Sequence, residues 1–283
     1  MSSALTPPPA EAGPLDPAAV RIVLFGMPDA GKSSLLGALA QAAHSQGRTL
    51  RGHLTDLTHG LAELRRRVYE DRQTETREEI VPYPVRFTPA GKSSYPAILF
   101  DCDGRVANDF LTQKRALEHG RKAGPLAEAI LSADALILTV DVSASVEQME
   151  QDFREFHRFL LHLERDRKRE HAVGGFPVFL VLTKCDNLAR ERMTREAWEA
   201  KIAARRAEVG ARFKKFLAEA GPDPPAMLTF GTIDLEVRST AVRRPELADA
   251  SAQVHEPYGV AELFHDAFAD ALAFRQRRTR SER

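Results

Sequence analysis

Residues 20–40, VRIVLFGMPDAGKSSLLGALA, contain the pattern that decides the fold. The apolar and β-branched run at 20–25 predicts a buried parallel strand. Residues 26–33 then match G-x-x-x-x-G-K-[ST], and the apolar residues that follow recur at helical spacing. Such a loop wraps its backbone N–H groups around a phosphate, and the helix N-terminus adds about half a positive charge. The stretch therefore predicts a nucleotide phosphate site.

Residues of this loop have separate predicted roles. Lys32 is expected to contact the β- and γ-phosphates and to assist catalysis, and the Ser33 hydroxyl to coordinate Mg²⁺. A chance match is the alternative, which the strand before the loop and the helix after it disfavour. The other predicted phosphate-binding residues of the stretch are Gly26, Asp29, Ala30, Gly31 and Ser34.

Composition restricts the broad class of protein. The chain has 283 residues with 40 Lys and Arg against 40 Asp and Glu, so no overall charge attracts it to nucleic acid or to a membrane surface. No apolar run approaches the roughly 20 residues that span a bilayer. The two cysteines lie within candidate nucleotide motifs, and no structural disulfide is expected. We expect a cytoplasmic protein with no specific nucleic-acid partner and no transmembrane segment.

A single α/β domain is predicted over 18–276. Residues 1–17, rich in Pro and Ala, predict a disordered tail, and 277–283 a basic C-terminal tail. Further apolar runs alternate with helical segments, which is typical of a mainly parallel sheet with helices on both faces. The prolines of the strand that begins at Ile80 place that strand at an edge of the sheet.

An inserted helical segment is predicted at about 50–72. A helix over 56–71 is expected because four apolar residues fall on one face at helical spacing. Packing of this helix on the domain is the favoured interpretation, and docking of a partner is the alternative. The four residues are Leu57, Leu61, Leu64 and Val68.

Two further motifs follow predicted strands. DCDG at 101–104 ends the third strand, and TKCD at 183–186 ends the fifth. Since right-handed crossovers bring the carboxyl ends of parallel strands to one edge, both motifs are expected beside the phosphate loop. By the order of these motifs, the chain resembles the Ras-like GTPases of the P-loop class, and more finely the Arf-like and signal-recognition-particle-receptor-β-like members or a bacterial relative.

The resemblance implies roles at the phosphate end. Asp101 would hold Mg²⁺ through water, and Gly104 would donate its N–H to the γ-phosphate. A threonine of the first switch would complete the metal site and contribute to catalysis; Thr74 is favoured and Thr76 is the alternative. An ordinary strand-to-helix turn is the alternative interpretation of D-x-x-G.

The resemblance also implies a guanine site. Asp186 would accept two N–H bonds from the guanine edge, and adenine lacks that pair of donors. Lys184 would pack over the base, and Thr183 stands where the family more often has Asn. Backbone N–H groups of Thr240 and Ala241 would supply a second guanine contact.

One departure concerns catalysis. Arg105 follows D-x-x-G where the family often has the Gln that orients water. Arginine stays protonated, so Arg105 either stabilises transition-state charge in cis or is a surface residue without a catalytic role. Slow hydrolysis is expected, with a partner or Gln113 supplying the missing group.

Together these patterns predict a molecular switch that binds GTP and GDP, hydrolyses GTP with Mg²⁺ and meets an effector or regulatory protein. A non-hydrolysing nucleotide-bound scaffold is one alternative. A P-loop ATPase or kinase is the other, and preference for ADP over GDP would reveal it.

Overall fold

The computed structural model describes residues 15–71, 80–117, 125–167, 175–219 and 233–281. Within these ranges the chain has seven strands and eight α-helices. The strands are β1 Val20–Gly26, β2 Gly52–Asp56, β3 Ile80–Pro89, β4 Tyr95–Asp103, β5 Ala135–Asp141, β6 Phe176–Thr183 and β7 Ile233–Ser239. The helices are α1 Lys32–Ser45, α2 Gly47–Leu50, α3 Gly60–Arg66, α4 Gly104–Leu117, α5 Pro125–Leu131, α6 Val146–Arg167, α7 Arg195–Glu219 and α8 Val260–Ser281.

The strands form one sheet in the order β2-β3-β4-β1-β5-β6-β7. β4, β1, β5, β6 and β7 run parallel, whereas β3 is antiparallel to β4 and β2 is antiparallel to β3. The predicted α/β class with a mainly parallel sheet is confirmed. The carboxyl ends of the five parallel strands therefore meet at one edge.

β1 is apolar from Ile22 to Phe25 because helices cover both faces of the sheet. Ile22 and Leu24 pack in the core with α1, α3 and α8, while Val23 and Phe25 pack in the core with α4 to α7. All four side chains are fully buried. Phe25 stacks on Phe159 of α6 with 4.2 Å between ring centroids. In the described ranges, no helix has the length and apolarity to cross a membrane.

The insertion differs from its prediction. It contains β2 as well as α3, and a π-helical turn at Arg67–Asp71 follows α3. The Asp56 carboxylate accepts N–H bonds from Thr58 at 3.1 Å and Ala62 at 3.0 Å, so the helix begins only at Gly60. Leu57 lies before the helix and is 48% exposed, so its place on the buried stripe is wrong. Leu61 and Leu64 are buried as predicted.

β3 is an internal strand, so its predicted edge position is also wrong. β2 pairs with β3 from Val85 to Pro89 and ends there. Pro82 and Pro84 lie beyond the last pair of β3 with β2, where no carbonyl of the β2 ladder needs an N–H from them. The prolines therefore indicate only that this part of β3 has no ladder with β2.

The C-terminal basic residues extend the last helix. α8 continues to Ser281, past the boundary predicted at 276. Arg275 and Arg278 pair with the buried Asp134, at 3.2 Å and 3.5 Å. Positive residues near a helix C-terminus also interact favourably with its dipole.

Candidate nucleotide site

The phosphate loop connects β1 to α1 at the carboxyl edge of the sheet. Asp29 and Gly31 have positive φ angles of 61° and 81°, which turn the loop inward. A Cβ at Gly26 would lie 2.0 Å from the Thr139 hydroxyl oxygen, so only glycine fits there. Gly26, Asp29, Ala30, Gly31, Lys32, Ser33 and Ser34 all lie at this junction, as predicted from the motif.

The N-terminus of α1 suits an anion. This helix, which is described in full, has no side-chain cap and no acidic residue in its first turn. The first N–H groups of a helix have no partner within the helix, and its dipole favours negative charge there. The loop therefore presents backbone donors at the end of β1.

Lys32 is buried within the loop. Its side chain is 7% exposed, and Nζ donates to the carbonyls of Gly26 and Met27 at 2.9 Å each. An ammonium group has three N–H donors, so two of them orient the charge above the loop. A buried ammonium among carbonyls is well placed to attract phosphate oxygens.

Ser33 and Asp101 bring oxygen ligands together. The Ser33 hydroxyl donates to Asp101 Oδ2 at 2.5 Å, and Asp101 is 7% exposed near the end of β4. Burial raises the pKa of Asp101, while Lys32 and the bond from Ser33 oppose that rise. Magnesium prefers hard oxygen ligands of this kind, so the donor set fits the metal.

The end of β4 approaches the phosphate loop closely. A Cβ at Gly104 would lie 2.1 Å from Met27 Cε. Asp103 Oδ1 accepts the N–H groups of Arg105 at 3.0 Å and Val106 at 3.2 Å, and thereby caps α4. The Arg105 side chain is exposed at the first turn of α4. The capping role of Asp103 was missed, although an Asp just before a helix is a cap signal.

Thr183 contacts the phosphate loop directly. Its hydroxyl oxygen lies 2.8 Å from Ala30 O and 3.1 Å from Val140 O, and the side chain is 3% exposed. A hydroxyl donates one hydrogen, so it serves one carbonyl at a time. Thr183 thus links the end of β6 to the loop after β1.

Lys184 and Asp186 follow Thr183 in the turn after β6. Lys184 has a φ of 56°, and its Nζ pairs with Asp141 Oδ2 at 2.7 Å. Asp186 Oδ1 is buried, and no group in the described residues hydrogen-bonds to it. Burial raises the pKa of Asp186, and its own backbone N–H, Arg243 and Lys184 oppose that rise. An unpaired buried carboxylate oxygen is costly unless a ligand supplies donors.

The backbone donors assigned to a second guanine contact have partners in the protein. The Thr240 N–H donates to Leu182 O at 2.7 Å, and the Ala241 N–H donates to Tyr258 O at 3.0 Å. Because β7 extends to Ser239 and Ala241 forms a bridge with Tyr258, the backbone there is already paired. These bonds argue against the predicted role of the two N–H groups.

Two predicted features lie outside the described residues. Thr74 and Thr76 fall in 72–79, and the side chain of Gln113 belongs to the part of α4 whose side chains are not described. The backbone of Gln113 is nine positions after Gly104, which is about 13 Å along a helix.

Residues 21–184, more than half of the chain, match the sequence profile of the 50S ribosome-binding GTPase family. The chain belongs to this family. It therefore has a GTPase domain of the P-loop class, as the three motifs predicted. No curated protein gives a significant match.

Solved structures similar to this GTPase domain come from distant proteins. A GTP-binding protein of Sulfolobus solfataricus, in complex with GDP, is 13% identical over 90% of this chain with a TM-score of 0.41, and the chain spans about half, 53%, of its length. Nucleolar GTP-binding protein 1 of Plasmodium falciparum is 9% identical over 93% of this chain and 92% of its own, with a TM-score of 0.42. The signal recognition particle receptor SRb-GTP/SRX complex of Chaetomium thermophilum gives 15% identity, 78% and 93% coverage and a TM-score of 0.41.

Proposed function

We propose that the protein is a molecular switch that binds GTP and hydrolyses it to GDP with Mg²⁺. The observation behind this proposal is the buried, unpaired Asp186 Oδ1 on the sheet edge that also holds the phosphate loop. A guanine base offers two adjacent N–H donors to a carboxylate, and adenine does not. The site would therefore bind the base at one end and the phosphates at the other.

The phosphate end would act by positioning and electrostatics. Lys32 and the first N–H groups of α1 would bind the β- and γ-phosphates, and the Gly104 N–H would contact the γ-phosphate. Ser33 and Asp101, with Thr74 of the segment 72–79, would hold Mg²⁺. When bound, the metal would neutralise charge on the phosphate oxygens.

The base end would select guanine. Asp186 would accept the base N–H groups, and Lys184, oriented by its 2.7 Å bond to Asp141, would pack its aliphatic stem over the ring. Thr183 would act indirectly by bracing the phosphate loop. Rejection of adenine would follow because a buried carboxylate left unpaired is strongly disfavoured.

Hydrolysis would be slow without a regulatory protein. Arg105 is exposed and its N–H is used in capping α4. Arginine cannot act as a general base, although it can stabilise transition-state charge. An effector or regulatory protein would therefore supply the group that orients water.

Calorimetric titration of the purified protein with GDP and with ADP tests the nucleotide. Tight GDP binding without ADP binding is expected, and the reverse would support a P-loop ATPase or kinase instead. Asp186→Asn should shift the binding preference from GDP to xanthosine diphosphate, since the amide N–H can donate to the additional carbonyl oxygen of xanthine. Unchanged GDP affinity in Asp186→Asn would contradict the guanine assignment.

Single-turnover hydrolysis of GTP with Mg²⁺ separates the switch from a non-hydrolysing scaffold. Slow turnover that falls further in Arg105→Ala is expected if Arg105 acts in cis. Turnover unchanged by Arg105→Ala would make Arg105 a surface residue, and no turnover with or without candidate partners would favour the scaffold.

A further inference from the structure

The loop that follows β7 is attached to α1 along one side. Gln41 Nε2 donates to His255 O at 3.0 Å, and Gln46 Nε2 donates to Pro257 O at 2.8 Å. Both glutamines lie in or just after the C-terminal half of α1, whose N-terminus forms the phosphate loop. The part of the loop at His255 and Pro257 is therefore fixed to α1, the helix that begins at the phosphate loop.

Tyr69 attaches the proximal part of the same loop. Its hydroxyl donates to Val242 O at 2.5 Å, and its ring centroid lies 5.8 Å from that of His255. Val242 comes directly after Ala241. Tyr69 itself lies in the π-helical turn at the end of the insertion. The contact joins two segments that are 173 residues apart in sequence.

Close packing of the insertion on α1 fixes the position of Tyr69. A Cβ at Gly37 of α1 would lie 2.8 Å from Leu64 O and 3.0 Å from Val68 Cγ2. Only a glycine there lets α3 and the turn after it lie so near α1. This packing places the Tyr69 hydroxyl against Val242 O.

The Tyr69 hydroxyl also lies near enough to Arg243 and Asp186 for their charges to affect its pKa. Burial raises the pKa of Tyr69, Arg243 opposes that rise and Asp186 adds to it. The phenol therefore stays protonated at neutral pH and remains a donor. Its acceptor, Val242 O, belongs to the same loop as Thr240, whose carbonyl accepts the N–H of Cys185, the neighbour of Asp186, at 3.1 Å. Arg243 of this loop also opposes the rise in the pKa of Asp186.

We propose that Tyr69 is a positioning residue for guanine-nucleotide retention: its bond to Val242 O holds the loop after β7 beside Asp186 and slows release of the nucleotide. The inference rests on the proposed function and deepens it. Tyr69 need not touch the base, because it acts through the loop.

Tyr69→Phe removes the hydroxyl and leaves the ring. The chain offers a matched control in Tyr95→Phe, since Tyr95 is also partly buried and donates to a backbone carbonyl, Phe268 O, at 3.1 Å. Dissociation of a fluorescent GDP analogue, chased with excess GDP, is measured for wild type and both variants. Tyr69→Phe should release the analogue about three- to tenfold faster, the range that one hydrogen bond supports. Tyr95→Phe should match wild type within about twofold.

A second readout distinguishes an effect at the base end from an effect at the phosphate end. The same dissociation is measured with EDTA, which removes Mg²⁺ from the phosphate end. The ratio of Tyr69→Phe to wild type should stay the same, because Tyr69 acts at the base end. Equal rates for Tyr69→Phe and wild type, or equal acceleration in both variants, would overturn the inference alone. Failure of wild type to retain the GDP analogue would instead overturn the proposed function.

Discussion

At the residue scale, Thr183 lies at its predicted position in the TKCD motif, and its hydroxyl contacts the backbone of the phosphate loop. The resemblance to Ras-like GTPases placed Thr183 where Asn is more frequent. In the structure its hydroxyl lies 2.8 Å from Ala30 O, a residue 153 positions earlier. The motif was visible from the sequence because its four residues are consecutive. The contact was not, because it depends on how closely β6 and the phosphate loop approach.

Thr183→Val tests this contact. Valine keeps the shape of the side chain but has no hydroxyl. Neither of the two nearby carbonyls, Ala30 O and Val140 O, can then accept a hydrogen bond from residue 183. We expect a loss of about 1–3 kcal/mol in the free energy of unfolding and weaker GDP binding. Urea unfolding and GDP titration measure both. Thr279→Val is the control, since the exposed Thr279 hydroxyl bonds to Arg275 O one helical turn back; an equal loss in the control would contradict the assignment.

Asp152 predicts a pH dependence. Burial raises the pKa of Asp152 to about 6, against the hydrogen bond from Gln148 and the positive charges of Arg105 and Lys32. Between about pH 4 and pH 6 the folded state binds more protons at this group than the unfolded state, so the free energy of unfolding falls as pH rises, then levels off. Asp152→Asn should abolish that component and be more stable than wild type above pH 6, by about 1–2 kcal/mol. Urea unfolding from pH 4 to pH 8 measures it, and parallel profiles would contradict it.

At the element scale, long apolar segments were predictable and the insertion was not. Phe153, Phe156 and Leu163 of α6 fall at helical spacing in the sequence, and all three are buried. β2 was missed because it is five residues long and has one buried side chain, Leu54, so it has no apolar run. The start of α3 was placed too early because the spacing of Leu57 matched the helix by coincidence, while the Asp56 carboxylate decided where the helix begins.

Gly37→Ala tests the packing of the insertion on α1. Alanine favours a helix by up to about 1 kcal/mol over glycine. Here its methyl group would lie 2.8 Å from Leu64 O, which is backbone and must move. We expect a net loss of about 1–2 kcal/mol in the free energy of unfolding. Gly47→Ala is the control because a Cβ there meets nothing within 4 Å. Thermal unfolding of both compares them, and a stabilised Gly37→Ala would disprove the close contact.

At the scale of the whole molecule, the two ends of the sheet have different roles. The carboxyl ends hold the candidate nucleotide site, and its motifs were predictable because each begins at the end of a strand. The loop contacts that complete the site, such as Tyr69 with Val242, were not, since they join segments that are distant in sequence. The amino ends are closed by charged residues whose pairing the sequence did not reveal. There Asp134, just before β5, is fully buried and accepts the Arg21 N–H at 2.9 Å.

A double-mutant cycle at the amino ends tests this division. Arg275 of α8 pairs with Asp134 at 3.2 Å, so Asp134→Ala removes the partner of a positive charge, whereas Arg275→Ala leaves Asp134 with Arg278 at 3.5 Å. Asp134→Ala should cost roughly 3 kcal/mol of unfolding free energy, and the double variant with Arg275→Ala should cost less than the sum of the single changes, by about 1–3 kcal/mol. Because the pair lies at the opposite end of the strands from the phosphate loop, GDP affinity should stay within about twofold of wild type in every variant that remains folded. Strictly additive losses would show that the pair does not fix α8, and a large loss of GDP affinity in folded Asp134→Ala would show that the two ends of the sheet are coupled.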